Sequence, residues 1–112
     1  MNIQIYGRKK SFDARKAERY FKERKIKFQC IDIDRYGLSR GEIASVSAAV
    51  GKENLIDVDG SEYKRLNLKY IVLPEPIDET LFNNPKLLVS PIVRNGKQAT
   101  IGYKPEIWKG WE

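Results

Sequence analysis

Apolar and polar residues alternate at the start of the chain, with Ile3 and Ile5 set among Asn2 and Gln4, and the run closes on Tyr6-Gly7. β-Branched residues leading into a glycine, which tolerates unusual backbone angles, predict a short strand and a turn. From about Phe12 to Arg24 the period changes. Phe12, Ala14, Ala17, Tyr20 and Phe21 fall mostly on one helical face, and Arg15, Lys16, Arg19, Lys22 and Glu23 decorate the rest. Ser11 suits the N-cap, with Ala14 standing where a capping box would place Glu, and the helix should end near Lys25. Ile26, Phe28, Cys30, Ile31 and Ile33 then make a β-favouring stretch that breaks at Asp34-Arg35-Tyr36-Gly37. Strand, helix and strand within about 30 residues is the span of a βαβ unit, with parallel strands and a right-handed crossover.

Ser39-Arg40-Gly41-Glu42 has the serine and glutamate spacing of a capping box and predicts a helix through Val50, stopped by Gly51. Farther on, Tyr63 to Leu68 reads as one or two helical turns, and Pro74 and Pro76 interrupt the chain. Asp78 suits the cap of a short helix over Glu79 to Asn83, and Pro85 the first turn of another through Leu88. The middle third therefore reads as a helical insertion. Val89 to Val93, a turn Arg94-Asn95-Gly96-Lys97 and Ala99 to Tyr103 then form a hairpin signalled by Asn-Gly. A last helix is expected between Pro105 and Trp111, with Ile107, Trp108 and Trp111 covering the sheet.

At 112 residues, 41% of them hydrophobic, the chain has material for one compact core and too little for two. Residues 1–112 are read as one domain, with a core over about 1–36 and 86–112 and the helical insertion over about 37–85. The start lacks a basic region followed by a long apolar run, and no stretch approaches the ~20 apolar residues of a membrane span, so a cytoplasmic protein is expected. The lone Cys30 forms no internal disulfide, in keeping with a reducing compartment. With no histidine, the usual proton shuttle is missing and zinc is not expected. A formal net charge of +6 raises nucleic acid or an acidic protein surface as partners. The charge pattern looks dispersed, however, and a solvated helix face is its plainer reading, so nucleic acid is not the expected partner.

Several strings narrow the picture. The segment Tyr6-Gly7-Arg8-Lys9-Lys10-Ser11-Phe12-Asp13-Ala14-Arg15-Lys16-Ala17 resembles the stretch in which glutaredoxin-linked arsenate reductases of the ArsC type, and the Spx transcriptional regulators, carry a cysteine motif before Arg-Lys-Ala. Gly60, Tyr63 and Leu66 to Leu68 look like that family's Gly-x-x-Tyr-x-x-Leu-x-Leu. Asn84 to Val93 resembles its Asn-Pro-x-Leu segment ending in Arg-Pro-Ile-Val, and Ile101-Gly102-Tyr103 with Glu106 its closing strand. The resemblance runs over almost the whole chain. It implies an α/β, thioredoxin-like fold: a βαβ unit, a helical insertion, an antiparallel β-hairpin and a C-terminal helix around a four-stranded mixed sheet.

The same resemblance places Ser11 where the family nucleophile stands and Ala14 at the second cysteine. An ArsC enzyme needs a thiolate at a helix N-terminus, where N–H groups and the helix dipole lower the cysteine pKa. A serine hydroxyl without an adjacent base is not ionised near neutral pH and passes through neither a disulfide nor an arsenic–sulfur intermediate. The three arginines of the family's arsenate clamp align with Asp57, Ser90 and Lys104, one acidic, one neutral and one charged without a fork. The site thus reads as degenerate.

Each remaining feature carries two readings. Arg8, Lys9, Lys10 and Ser11, with Lys104, are candidates for binding an anion or a partner at the helix N-terminus, weighed equally against an exposed basic turn. Asp13, in the first turn, counts against an anion. Ser11 is foremost a cap and secondarily a hydrogen-bond donor to a ligand. Cys30 is expected as a packing residue rather than a reactive thiol. Pro91 resembles the cis-proline of thioredoxin-like folds and serves either architecture or a substrate groove. Trp108 and Trp111 more often pin a helix than form a partner patch.

Together these point to a non-redox binding or regulatory protein of bacterial type that needs no cofactor, with a protein partner or a small oxyanion as ligand. The Spx resemblance implies RNA polymerase as the candidate partner, since Spx binds its α-subunit. The alternative is an arsenate reductase or glutathione-linked thiol oxidoreductase with a divergent active site.

Overall fold

The computed structural model describes residues 1–66 and 76–112. The described residues form four strands, β1 (Ile3–Gly7), β2 (Phe28–Asp32), β3 (Ile92–Asn95) and β4 (Gln98–Ile101), and six α-helices. These are α1 (Phe12–Glu23), α2 (Ile33–Tyr36), α3 (Arg40–Val50), α4 (Ser61–Arg65), α5 (Ile77–Asn83) and α6 (Pro105–Lys109). Short 3-10 turns cover Lys52–Leu55 and Pro85–Leu87. Strand order is β2-β1-β3-β4, with β1 parallel to β2 and the other pairs antiparallel, so the sheet is mixed and the fold thioredoxin-like.

Alternation along β1 divides the core between two faces. Ile3 and Ile5 point to the side of α1 and α6, where Ala17, Tyr20, Phe21, Val93 and Trp108 join them. Tyr6 points to the other side, with Ile33, Ile43, Val46, Leu81, Leu88 and Ile92. Trp108 is fully buried, and its indole N–H donates to the Thr100 hydroxyl at 2.8 Å, which satisfies the polar edge of the ring inside the core. The other face carries a polar link as well. The Tyr6 hydroxyl donates its proton to Glu42 of α3 and lies 3.1 Å from the Gln4 side-chain oxygen, to which Arg94 donates at 3.0 Å.

α3 starts with the expected capping box: Ser39 accepts from the Glu42 N–H at 3.1 Å, and Glu42 accepts from the Ser39 N–H at 2.9 Å. α1 closes in a Schellman arrangement, with Ile26 N–H donating to Phe21 O and Lys25 N–H to Lys22 O. Lys25 takes the left-handed position there, at φ 58°.

Several local expectations shift. Phe12, assigned to the apolar face of α1, is 75% exposed, because it opens the helix beyond the edge of the sheet. Ile33 leaves β2 and starts the single turn of α2, capped by Asp32, whose carboxylate accepts from the Asp34 N–H. Asp78 lies inside the first turn of α5, whose N-cap is Pro76. β3 begins only at Ile92, and its hairpin turn is Gly96-Lys97, with Asn95 still paired to Gln98. Gly96 at φ 61° supplies the positive angle that a two-residue hairpin turn requires at its first position. Ile107 is exposed, while Trp111 packs against the core cluster around Trp108. Leu68 and Pro74 lie outside the described residues.

Candidate functional site at the start of the first helix

Gly7 ends β1 where the chain must pass closely beneath α1. A Cβ at this position would lie 2.8 Å from the Ala14 Cβ and 3.5 Å from the Ser90 hydroxyl, so glycine here and a small residue at 14 are one requirement. Ser11 then adopts an extended conformation and caps α1, its hydroxyl oxygen accepting from the Ala14 N–H at 3.2 Å. Its backbone N–H donates to Arg8 O at 3.0 Å. The hydroxyl has no histidine to activate it, since the sequence contains none. Serine thus acts as a cap at the point where a nucleophile would need a base.

Arg8 is spent on structure. Its backbone N–H donates to the Ser90 hydroxyl at 3.0 Å. Its guanidinium donates to Asp34 at 2.9 Å, to Leu88 O, and to Pro85 O at 2.9 Å. This fork fastens the β1–α1 turn to the segment that enters the Ser90-Pro91 bond, which is cis as the sequence suggested. Lys9 and Lys10 remain exposed, and Arg15 reaches back to Lys9 O at 3.0 Å while lying 5.9 Å over the exposed Phe12 ring. The fold therefore gathers Arg8, Ser11, Ala14 and Ser90 around Gly7.

Asp57 and Lys104 stand apart in their contacts. Asp57 is joined through its N–H to Leu87 O at 2.8 Å, and its carboxylate is turned onto Gly60, where a Cβ would come within 2.6 Å. Lys104 is exposed and caps α6 with its carbonyl, accepting from Ile107 and Trp108 N–H at 3.1 Å. No fork of arginines faces Ser11 from these three clamp positions.

The remaining thiol lies nearby. A cleft of about 310 Å³ under the start of α1 is lined by Gly7, Lys9, Ala14, Arg15, Glu18 and Cys30, among others. Cys30, which the sequence reads as a packing residue, is exposed, because β2 is an edge strand that α1 covers only in part. Its thiol donates to Glu18 at 2.9 Å. Loss of water in the cleft wall, reinforced by the Glu18 acceptor, pushes the thiol pKa up to about 12. At neutral pH it is a protonated, unreactive thiol. Sequence inspection missed the Cys30–Glu18 pair because the two residues meet only through the crossover from α1 to β2. Among the described residues no group of three or more His, Cys, Asp or Glu is placed to hold a metal ion, and no helix is long and apolar enough to cross a membrane.

Comparison with known proteins agrees with this geometry. Residues 6–110 match the model of the ArsC family. The chain belongs to the ArsC family. It is 31% identical over 106 residues to the global transcriptional regulator Spx 2 of Oceanobacillus iheyensis, covering 92% of this chain and 78% of that protein. Among solved structures, a putative ArsC family related protein from Bacteroides fragilis superposes with a TM-score of 0.83 at 21% identity, covering 100% of this chain and 98% of that one. An arsenate reductase from Vibrio cholerae gives 0.79 at 24% identity, covering 96% and 94%. In this ArsC-family chain the Ser90-Pro91 bond is cis and Ser11 stands as the cap of α1.

Proposed function

We propose that this ArsC-family protein is a non-redox binding and regulatory protein, and that a partner protein docks on the start of α1. The observation that carries this reading is the use made of the nucleophile position: Ser11 is a helix cap without a base, and the nearby thiol, Cys30, is held protonated by its cleft and Glu18. The surface beside Ser11 has the composition of a docking site. Lys9 and Lys10 are exposed, and the Phe12 ring stands 75% exposed beside Arg15, a pairing of aromatic and arginine typical of interface hot spots. Kinship with a transcriptional regulator makes the RNA polymerase α-subunit the first partner to test.

Two measurements decide the matter. Purified α-subunit should bind the wild-type chain, and the double change Lys9→Glu with Lys10→Glu should weaken that binding at least tenfold. Equal binding by both, or none by either, removes the partner assignment. Arsenate reduction with glutathione and glutaredoxin should stay at the blank rate, and turnover that vanishes in Ser11→Ala would establish the enzymatic alternative instead.

A further inference from the structure

One stripe of α1 serves neither the core alone nor the site at Ser11. Lys16, Arg19, Tyr20, Glu23 and Arg24 recur at the spacing that aligns side chains along one helix face, and with Tyr103 and Pro105 they line a groove of about 350 Å³. Three cations there face one acid. The groove belongs to the segment from Arg8 to Lys27, which holds ten of the 21 Lys and Arg residues against three of the 15 acids. The positive charge that looked dispersed along the chain is thus concentrated on α1 and its flanks.

The floor of this groove contains an unmet donor. Tyr20 is 5% exposed, and its hydroxyl is buried without a hydrogen-bond partner among the described residues. Buried hydroxyls are normally bonded, because an unmet one loses its water contacts without replacement. The Tyr20 ring packs against Phe21 and Trp108 at centroid distances of 5.1 and 5.2 Å, neither of which offers an acceptor at that point. Above it lies the Arg24 guanidinium, 3.8 Å from the ring centroid. That cover is movable: its side chain is 41% exposed and its ion pair among the described residues, to Glu112, is 3.5 Å long. With Arg24 displaced, an O–H donor in a groove whose walls also carry Arg19 and Lys16 calls for an oxyanion acceptor.

We propose that the groove between α1 and the start of α6 seats an acidic peptide segment of a partner protein, one carboxylate accepting from the Tyr20 hydroxyl and pairing with Arg19 and Arg24. A carboxylate fits better than a nucleic-acid backbone for two reasons. The groove is short, with Glu23 in its wall to repel a continuous run of phosphates, and Arg24 already takes a carboxylate, that of Glu112. This site is separate from the one at Lys9 and Lys10 and does not depend on it.

The test uses the full chain and a labelled glutamate-rich peptide of about ten residues, read by fluorescence anisotropy at about 0.15 M salt, where charges more than ~8 Å apart are largely screened. Tyr20→Phe removes only the hydroxyl. It should leave the melting temperature equal or higher, since an unmet group is lost, and weaken peptide binding about tenfold. Glu112→Gln should tighten binding by removing the internal competitor. Lys9→Glu with Lys10→Glu, at the far end of the helix, should change it by no more than about twofold. The proposal is overturned if Tyr20→Phe binds the peptide like wild type, or if Lys9→Glu with Lys10→Glu abolishes peptide binding. It is equally overturned if a DNA duplex of about 20 base pairs binds more tightly than the peptide and suffers the same loss in Tyr20→Phe. None of these outcomes bears on α-subunit binding at Lys9 and Lys10.

Discussion

Two helices of nearly equal length, α1 and α3, both begin at a serine, and their first turns are built to different standards. In α3 the box is closed on itself: Ser39 and Glu42 exchange hydrogen bonds, and Glu42 goes on to take the Tyr6 hydroxyl from the central strand. In α1 the serine caps alone, Ala14 offers nothing in return, and two lysines precede it in open solvent. The start of α1 is the less satisfied of the two. Its exposed basic turn makes no such link and is where docking is proposed, while α3 uses Glu42 to tie the insertion to the sheet.

The largest effect is expected on the α3 side. Burial alone would raise the Glu42 carboxyl, but the bonds from Tyr6 and Ser39 outweigh it and hold the pKa below its ordinary 4.5. The folded protein therefore binds fewer protons than the unfolded chain in that window. Stability from Glu42 is present above about pH 4.5 and drains away as pH falls through the lower folded value. Glu42→Ala should cost about 2–4 kcal/mol in urea melts at pH 7, because it removes a cap partner and replaces the charged acceptor of the Tyr6 hydroxyl with the neutral Gln4 oxygen. The cost should shrink in acid, and an equal loss at both pH values would refute the linkage.

Gly7→Ala comes next, at about 1–3 kcal/mol, from the Cβ pressed against Ala14. The double change with Ala14→Gly should recover most of that in the same melts, whereas a loss caused by the backbone would remain. Ser11→Ala should cost only about 1 kcal/mol, the worth of a lone cap, and leave the melting curve otherwise unchanged. A smaller change still in stability, but a sharper one in chemistry, is expected of Ser11→Cys. A thiol at this helix end, beside Lys9 and Lys10, should alkylate with iodoacetamide at pH 7 far faster than Cys30, which loss of water in the cleft wall, with Glu18, holds protonated. Equal rates would mean that the helix end no longer supports a thiolate.

Local rules were legible where the signal was short-range. The Ser39 capping box, the Ser11 cap, the paired strands and the helix-rich insertion follow from adjacent residues, and all are present in the described structure. Phe12, Ile107 and Cys30 were misplaced for a common reason: periodicity reports which residues share a face, but not how far the covering layer extends. The hairpin turn slipped by one residue because Asn95 and Gly96 favour a turn in either register, and the pairing of Asn95 with Gln98 selects one.

By itself, the amino-acid order determined that a serine opens the first helix, that no histidine can activate it, and that the strands and helices follow a thioredoxin-like order. These are matters of residue identity and local propensity. Only the tertiary structure decided that the first residue of the basic turn is a structural fork, since Arg8 meets Asp34 across the βαβ unit and Leu88 and Pro85 across more than two-thirds of the chain. The same holds for Cys30 beside Glu18 and for the unmet Tyr20 hydroxyl beneath Arg24. Charge and hydrogen-bonding capacity are written in the sequence, but whether they are spent inside the fold or left for a ligand depends on neighbours that only folding supplies.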